Sequence, residues 1–303
     1  MSGKMLSCIK DIYKDIELYR DGYFDNLGFT ASNGNDQKLL VFLNNEKYLS
    51  EFYENKNISC VICSKNIVNA IKDIDGIGIC IAEDPKLVFF KFHNYLIENT
   101  NFYGEKFDNQ ISSRAKIHPT AYIADHNVMI KEGAIIEPNV TILSNVYIGE
   151  NTIIRAGTVI GTEGFQFVRT ENDILSVKHA GKVIISNDVE IQANTCVCRG
   201  VFNDITEIGE KSKIDNLIHI AHGVKIGKRC LVAANTMIAG YTNIGDDVWI
   251  GPSTNIRNMI AIGDKADIKI GSVVTKNVEK TQSVSGNFAI EHNKFIDFIK
   301  SIR

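Results

Sequence analysis

The chain has 303 residues and a formal net charge of −3, with its basic residues scattered along the sequence. This length supports two or three modules with a substantial core, and the lack of a basic cluster argues against nucleic-acid binding. No run of about 20 apolar residues is present, and the first residues lack the apolar run of a signal peptide, so we expect neither a membrane span nor a secretory leader. Seven cysteines in apolar surroundings suit a reducing cytoplasm, which is the predicted location.

Residues 1–105 predict a small α/β domain. Three apolar segments have the length and composition of strands, at 39–43, 58–62 and 77–82. A helix is predicted from Asp84 onward, because aspartate is a favoured N-cap and Pro85 fits the first turn. Cys60 and Cys63 form a C-x-x-C pair, but they lie inside an apolar strand and no second pair completes a zinc site. We therefore interpret the cysteines as structural.

Residues 106–279 carry an aliphatic residue at every sixth position over long stretches. A period of six fits neither a helix nor a lone strand, and it is typical of a chain wound into a parallel β-helix. Three six-residue faces make one coil, so residues 18 apart stack at the strand spacing of about 4.8 Å. The unbroken part of the repeat consists of Ile208, Ile214, Ile220, Ile226, Val232, Ile238, Ile244, Ile250, Ile256, Ile262, Ile268 and Val274.

Two segments depart from this repeat. The segment 162–182 is too long to be a corner of the coil, and it predicts a loop that leaves the coil. Long loops on repeat scaffolds often contain functional residues. Residues 280–303 form a third predicted segment with a single helix at 287–302. The apolar residues that such a helix would place on one face are Ile290, Phe295, Phe298 and Ile299.

The repeat also predicts a candidate catalytic pair. His222 and Gly240 each lie two places after an interior isoleucine. They are 18 residues apart, which is one coil, so the repeat places one above the other. A histidine can act as a general base, and a glycine N–H can bind the oxyanion of a tetrahedral intermediate. Asp215 and Asn216, one face earlier, are candidate substrate contacts. His219 is a reserve candidate for the base or a further substrate contact, with a solvated surface side chain as the alternative.

The segment Lys213–Gly227 closely resembles the active-site segment of the UDP-3-O-acylglucosamine N-acyltransferase family of lipid A synthesis. Gly164 and Phe165 resemble that family's glycine-aromatic segment. The family implies a mainly β fold, a left-handed parallel β-helix of hexapeptide repeats with a small N-terminal α/β domain and a C-terminal helix. It also implies a homotrimer with active sites in clefts between subunits, His222 as the base and the Gly240 N–H as the oxyanion donor.

Residues 42–48 are similar to the family's amino-terminal motif, in which an aromatic, an asparagine and a tyrosine hold uridine. By this match Phe42, Asn45 and Tyr48 are the candidate base-binding residues. A pyrimidine stacks on aromatic rings, and an asparagine amide offers a donor and an acceptor to its edge. The alternative is a strand-to-helix corner with two packed aromatic side chains.

The chain departs from the family at two places. Met259 stands where the family has a second histidine, and the sequence ends after one predicted helix where the family has a longer extension. These departures favour an enzyme that moves an acyl group from acyl-CoA to the amine of a dTDP- or UDP-linked amino sugar for surface polysaccharide. The alternative is UDP-3-O-(3-hydroxyacyl)glucosamine N-acyltransferase of lipid A biosynthesis, which uses an acyl carrier protein thioester.

Two other classes compete with acyl transfer. A metal hydrolase needs about three converging histidines; His219 and His222 could supply two, and the regular repeat places no third within reach. We therefore expect no metal requirement. A nucleotide-binding scaffold would keep the three residues at 42, 45 and 48, but it has no use for a histidine stacked beneath a glycine or for the excursion at 162–182.

Overall fold

The computed structural model describes residues 3–32, 37–286, 289 and 291–302. The chain forms two compact units. One runs up to Asp108 and adds Glu163–Lys182 and Arg199–Ile205; the other comprises Asn109–Thr162, Val183–Cys198 and the chain from Thr206 onward. The predicted excursion at 162–182 therefore leaves the coil, and Arg199–Ile205 is a second excursion, which was not predicted.

The first unit is built on a five-stranded sheet. In sheet order its strands are Glu17–Arg20, Gly78–Ile81, Ile58–Cys63, Leu39–Leu43 and Asn26–Leu27. The pair at one edge is antiparallel and the other pairs are parallel. The three predicted strands are present, within one residue of their predicted ends, and the two outer strands were not predicted.

The remaining elements of this unit are short apart from one helix. The helix Pro85–Asn99 begins as predicted, because the Asp84 side chain accepts a hydrogen bond from the Leu87 N–H at 2.9 Å. The others are the strand pair Lys4–Met5 and Tyr23–Phe24, the hairpin Phe167–Arg169 and Ile174–Ser176, the helices Cys8–Ile12, Leu49–Glu54 and Val68–Ile71, and the 3₁₀ helix Glu46–Tyr48.

A buried histidine ties the long helix of the first unit to the first excursion. His93 is fully buried, with Nδ1 2.6 Å from the Tyr103 hydroxyl and Nε2 2.8 Å from the Lys178 carbonyl oxygen. A neutral imidazole satisfies both contacts, with Nε2–H donating to the carbonyl and Nδ1 accepting from the hydroxyl. Burial lowers the pKa of His93 to about 4, and burial also lowers the pKa of His179 in the same unit to about 4.

We expect the first unit to lose stability on mild acidification. An unfolded histidine titrates near pH 6.5, so between about pH 6.5 and 4 the unfolded chain binds protons that the folded His93 does not. The free energy of unfolding therefore falls as the pH falls through this window, by about 3 kcal/mol for a shift of this size. Thermal unfolding followed by near-UV circular dichroism from pH 4 to 7 measures the slope. His93→Gln should reduce the slope by about half, because His179 has a similarly lowered pKa and keeps its own contribution. His118→Gln, at an exposed histidine of the other unit, should leave the slope unchanged; equal slopes in all three proteins would contradict the prediction.

The second unit is the β-helix. Its described strands form three parallel sheets of eight, eight and nine strands, which we call faces 1, 2 and 3. Face 1 consists of Tyr122–Ile123, Thr141–Ile142, Val159–Thr162, Cys196–Cys198, His219–Ile220, Met237–Ile238, Asn255–Ile256 and Val273–Val274. Face 2 consists of Gln110–Ile111, Val128–Ile130, Val146–Ile148, Lys182–Ile185, Ile205–Ile208, Lys225–Ile226, Asn243–Ile244 and Ala261–Ile262. Face 3 consists of Lys116–Ile117, Ile135–Ile136, Ile153–Ile154, Glu190–Ile191, Lys213–Ile214, Leu231–Val232, Trp249–Ile250, Asp267–Ile268 and Ser283–Val284.

The predicted 18-residue stacking is present in the pairing of these strands. Ile220 pairs with Ile238, and Ile238 pairs with Ile256, each one coil further along. The aliphatic repeat fills the interior, where these side chains are fully buried against one another. The fold class is as predicted: mainly β, a left-handed parallel β-helix of hexapeptide repeats with a small α/β unit and a C-terminal helix.

The corners between the faces follow a regular local pattern. Many of them place one non-glycine residue in the left-handed region, such as Tyr241 at φ 58° and Met259 at φ 59°. The small residues of the repeat are buried beside these corners and bind backbone carbonyls, as Thr236 does by donating to the Ala233 oxygen at 2.9 Å. These hydroxyls satisfy carbonyl groups that the tight turns would otherwise leave without donors.

The C-terminal helix spans His292–Ser301 and is therefore shorter than the predicted 287–302. Its side chains Phe295 and Phe298 are exposed and Ile299 is half-buried, while Ile290 lies outside the described residues. Within the described ranges, none of the helices has the length and apolar character needed to cross a bilayer.

Candidate active site

His222 and Gly240 lie on consecutive coils at the corner between face 1 and face 2. A Cβ placed on Gly240 would lie 2.6 Å from Nε2 of His222 and 2.9 Å from its Cδ2. Such distances are far inside van der Waals contact, so the imidazole edge lies directly against the Gly240 backbone. Gly240 is outside the left-handed region, so this close approach, and not an unusual φ, is what requires glycine here.

The surroundings of this pair are a column of residues at the same corner. The Tyr241 N–H donates to the His222 carbonyl oxygen, and the Met259 N–H donates to the Gly240 carbonyl oxygen, each at 3.0 Å. The rings of His222 and Tyr241 make an edge-to-face contact with centroids 5.3 Å apart. Met259 is 53% exposed and stands one coil above Tyr241, which is two coils and one residue beyond His222; the family resemblance places a second histidine at this position.

Asp215 and Asn216 lie at the preceding corner, and both have structural partners. The Asp215 carboxylate accepts hydrogen bonds from the Asn216 N–H at 2.7 Å and from the Ala234 N–H, one coil further, at 3.1 Å. The Asn216 side-chain oxygen accepts from the Ala193 N–H, one coil earlier, at 3.1 Å. These bonds connect the corners of three coils. The contact of Asp215 and Asn216 with a substrate stays a prediction.

His219 lies on face 1, where its strand pairs with that of Cys196. The ring nitrogens and thiols of Cys196, Cys198 and His219 converge, with one ligand atom from each within 4.8 Å of the others. Hydrogen bonds from Cys198 and His219 lower the pKa of the Cys196 thiol to about 5, and the bond to Cys196 raises the pKa of Cys198. The cluster was not predicted from the sequence, because the excursion Arg199–Ile205 lengthens the coil between its members and breaks the 18-residue count.

The other cysteines fit the structural interpretation. All seven cysteines lie in the described part of the chain and carry free thiols. Burial raises the pKa of Cys60, Cys63 and Cys80 to about 12, which makes these thiols unreactive at neutral pH.

The candidate base-binding residues lie in the first unit, where a strand leads into a short helix. Phe42 is half-buried in the strand Leu39–Leu43, with its ring centroid 5.1 Å from that of Phe89 and 5.7 Å from that of Phe90. Asn45 is the N-cap of the 3₁₀ helix, and its side-chain oxygen accepts from the Lys47 N–H at 3.0 Å. Tyr48 is half-buried, with the Lys47 ammonium 4.7 Å from its ring centroid.

This geometry modifies the predicted roles of the three residues. Asn45 is exposed, but its oxygen already serves as a helix cap, so its NH₂ group is the donor it offers to a ligand. Phe42 packs against aromatic neighbours of the core, whereas Tyr48 lies at the corner itself. The corner is thus both a packed structural feature and a surface with a ring, an amide and a cation close together.

Gly164 and Phe165 lie in the first excursion. Phe165 is 87% exposed, and its ring contacts that of Phe167 edge-to-face with centroids 4.9 Å apart. The carbonyl oxygen of Gly164 accepts from the Gln166 N–H at 3.1 Å, which forms the turn before the hairpin. So large an exposed aromatic pair is unusual on a surface that contacts only water.

Comparison with known proteins gives matches over both units. A family model for the bacterial transferase hexapeptide (six repeats) matches residues 127–162 and 205–240. The UDP-3-O-acylglucosamine N-acyltransferase of Caulobacter sp. (strain K31) is 40% identical over 139 residues, which cover 46% of this chain and 41% of that protein. The protein of the same name from Bordetella pertussis (strain Tohama I) is 28% identical over 89% of this chain and 82% of its own length.

Among solved structures, the UDP-N-acetylglucosamine acyltransferase of Francisella novicida is 25% identical with a TM-score of 0.48, over 58% of this chain and 67% of that one. The matches to the two curated relatives cover less than half the length of the Caulobacter protein and most of the length of the Bordetella protein. The repeat pattern, the segment around His222 and these curated relatives agree with one another. They confirm the resemblance found in the sequence: the chain is a hexapeptide-repeat protein similar to the UDP-3-O-acylglucosamine N-acyltransferase family.

Proposed function

We propose that this protein is a sugar N-acyltransferase that moves an acyl group from a thioester to the amine of a UDP-linked amino sugar. The observation that carries the proposal is the contact between the His222 imidazole and the Gly240 backbone on consecutive coils. A base and a backbone N–H side by side are the two groups that an acyl transfer to an amine requires. The names of the curated relatives supply the substrate class.

The proposed reaction needs no covalent enzyme intermediate, because an amine is itself a competent nucleophile. The amine nitrogen attacks the thioester carbonyl carbon, a C–N bond forms and the carbonyl oxygen becomes an oxyanion near the Gly240 N–H. Nε2 of His222 takes the proton that the nitrogen loses. The tetrahedral intermediate then collapses, the C–S bond breaks, and the proton passes to the departing thiolate, so that amide and thiol are the products.

The acceptor follows the relatives' name, and the donor follows the family resemblance found in the sequence. We propose UDP-3-O-acylglucosamine as the acceptor and an acyl carrier protein thioester as the donor, which was the alternative in the sequence analysis. A second candidate keeps acyl-CoA and a dTDP- or UDP-linked amino sugar for surface polysaccharide. The observation that favours this second candidate is Met259, which stands above Tyr241, beside the column of His222 and Gly240, where the family resemblance places a histidine.

A two-by-two assay distinguishes these candidates. The purified protein is incubated with an acyl carrier protein thioester or with acyl-CoA, and with UDP-3-O-acylglucosamine or a dTDP-linked amino sugar. Thiol release is measured, and the product is identified by its mass. We expect an amide product from the carrier protein thioester and the UDP sugar. An amide formed only with acyl-CoA and the dTDP sugar would replace the first candidate by the second, and no amide in any combination would refute the proposed function.

The proposal assigns the nucleotide to residues 1–105 and the acyl transfer to residues 106–279, with the terminal helix in the segment 280–303. Phe42, Asn45 and Tyr48 are proposed to hold the base. Support comes from the ring of Tyr48 and the exposed amide of Asn45 at one corner, beside a cation suited to an anionic nucleotide. Gly164 and Phe165 are proposed as further substrate contacts, because the Phe165 ring is almost fully exposed.

Two substitutions at this corner test nucleotide binding. Tyr48→Ala should raise the KM for the nucleotide sugar about tenfold or more with a smaller change in kcat, since stacking on one aromatic ring contributes about 1–3 kcal/mol per base. Asn45→Asp should also raise KM, because aspartate keeps the cap on Lys47 but removes the NH₂ donor. Tyr53→Ala, at an exposed tyrosine of the next helix, is the control. An unchanged KM in both variants would contradict the assignment.

The same proposal includes a homotrimer in the cytoplasm, as the family resemblance implies. The outer surface of face 3 supports an assembly, because Leu231 and Trp249 are both exposed and pair on consecutive coils. Neighbouring exposed apolar side chains of this size are typical of a surface that contacts another protein chain. The free thiols of all seven cysteines fit a reducing compartment.

A further inference from the structure

We propose that Cys196, Cys198 and His219 bind a zinc ion on the outer surface of face 1. The two thiol sulfurs and one imidazole nitrogen lie within 4.8 Å of one another. They come from two adjacent strands of the β-helix, Cys196–Cys198 and His219–Ile220. This inference rests on the geometry of the cluster alone and does not depend on the proposed acyl transfer.

The separations suit a tetrahedral zinc ion. Zinc binds thiolate sulfur at about 2.3 Å and imidazole nitrogen at about 2.0–2.1 Å, so neighbouring ligand atoms in a tetrahedral site lie about 3.5–3.8 Å apart. Three atoms that already lie within 4.8 Å reach this spacing by small side-chain rotations. The two thiolates are soft donors and imidazole is a common zinc ligand, so the set favours zinc over magnesium or calcium.

The β-helix holds the three ligands on a rigid platform. Cys196 and His219 are register partners on neighbouring strands, which places their side chains side by side. Cys196 and Cys198 alternate with Val197 along one strand, and Val197 is fully buried in the interior, so both cysteines lie on the outer side. Parallel pairing with the strands on either side fixes this arrangement.

The three ligands differ in burial, so one side of the cluster is accessible to solvent. Cys198 is 1% exposed, Cys196 is half-buried, and His219 is exposed. Three protein ligands with an open position toward solvent are the arrangement in which zinc keeps a water or another exchangeable ligand in the fourth place. His222 is not a member of the cluster, because its Nε2 lies against Gly240. The zinc site and the candidate catalytic pair are therefore separate groups of residues.

Cobalt titration tests the site directly. The 303-residue chain is reduced, freed of metal by a chelator and titrated with Co²⁺, whose thiolate-to-metal charge-transfer band appears only when sulfur coordinates the ion. We expect saturation at one Co²⁺ per chain and full displacement of the band by Zn²⁺. Cys196→Ser and Cys198→Ser should each weaken the band by about half or more, and His219→Gln should lower Co²⁺ affinity at least tenfold. His219 is exposed, so its variant reports on binding without endangering the fold.

A matched control is available at another cysteine. Cys230 donates from Sγ to the Gly245 carbonyl oxygen, and one coil earlier Ser212 makes the equivalent bond to Gly227. Cys230→Ser should therefore keep the fold and leave the cobalt band unchanged. The proposal is overturned if the wild-type protein shows no charge-transfer band, or if the band persists at full strength in Cys196→Ser and Cys198→Ser. It is also overturned if reduced, metal-free protein exposed to air forms a Cys196–Cys198 disulfide in the presence of equimolar Zn²⁺, because bound zinc would protect both thiols.

Discussion

Replacing His222 with alanine is expected to lower kcat for N-acylation by about 10²–10⁴, the usual effect of removing a general base. The reason is that Nε2 of His222 is the basic atom that lies against the Gly240 backbone, where the proposed oxyanion forms. The KM for the nucleotide sugar should change little, since the loss falls on a step of proton transfer. Steady-state kinetics with the acceptor and donor that give an amide in the two-by-two assay measures both constants.

Two controls separate a lost base from a damaged fold. His118→Ala, at an exposed histidine elsewhere on the β-helix, should retain full turnover. Imidazole added to His222→Gly should restore part of the rate, because the small variant side chain leaves room for the free base at the corner. Near-normal turnover by His222→Ala would remove this residue from the mechanism, and the reserve candidate His219 would then need the same test.

The β-helix was predictable in detail because one physical constraint repeats along the chain. Each coil must bury one aliphatic side chain per face, so Ile220, Ile238 and Ile256 report the register directly in the sequence. The first unit has no such repeat. Its central strands were predicted from apolar runs, but the outer strands Glu17–Arg20 and Asn26–Leu27 are short or half-exposed and carry no comparable signal.

The candidate site was likewise only partly predictable from the sequence. The contact between His222 and Gly240 followed from counting 18 residues within an unbroken stretch of the repeat. The cluster of Cys196 with His219 could not be found by this count, because the excursion Arg199–Ile205 lies between the two residues and no repeat in the sequence indicates its length. Nor could the sequence show that Asp215 caps the N–H of Ala234. Such bonds depend on side-chain orientation at the corners, which composition and spacing leave undetermined.

Gly240→Ala is expected to lower kcat by about 10²-fold or more, although the change adds a single methyl group and keeps the N–H. The new Cβ would lie 2.6 Å from Nε2 of His222, so the imidazole must move away from the position where it accepts a proton. A displacement of about 1 Å at a reacting group costs on the order of 10² in rate. Stability should change little, since Gly240 has a φ that alanine also adopts. Gly286→Ala, at a glycine with open space around it, is the control.

The double variant His222→Ala/Gly240→Ala gives the sharper test. With alanine at 222 the imidazole is gone, and the Cβ at 240 has nothing to displace, so the second substitution should add almost nothing to the first. Residues that act through one contact are non-additive in this way, whereas independent sites add their effects. Kinetics of the four proteins in the cycle measure the coupling. If the two losses multiply, alanine at 240 acts through some other group, and the imidazole and the backbone at this corner do not function as a unit.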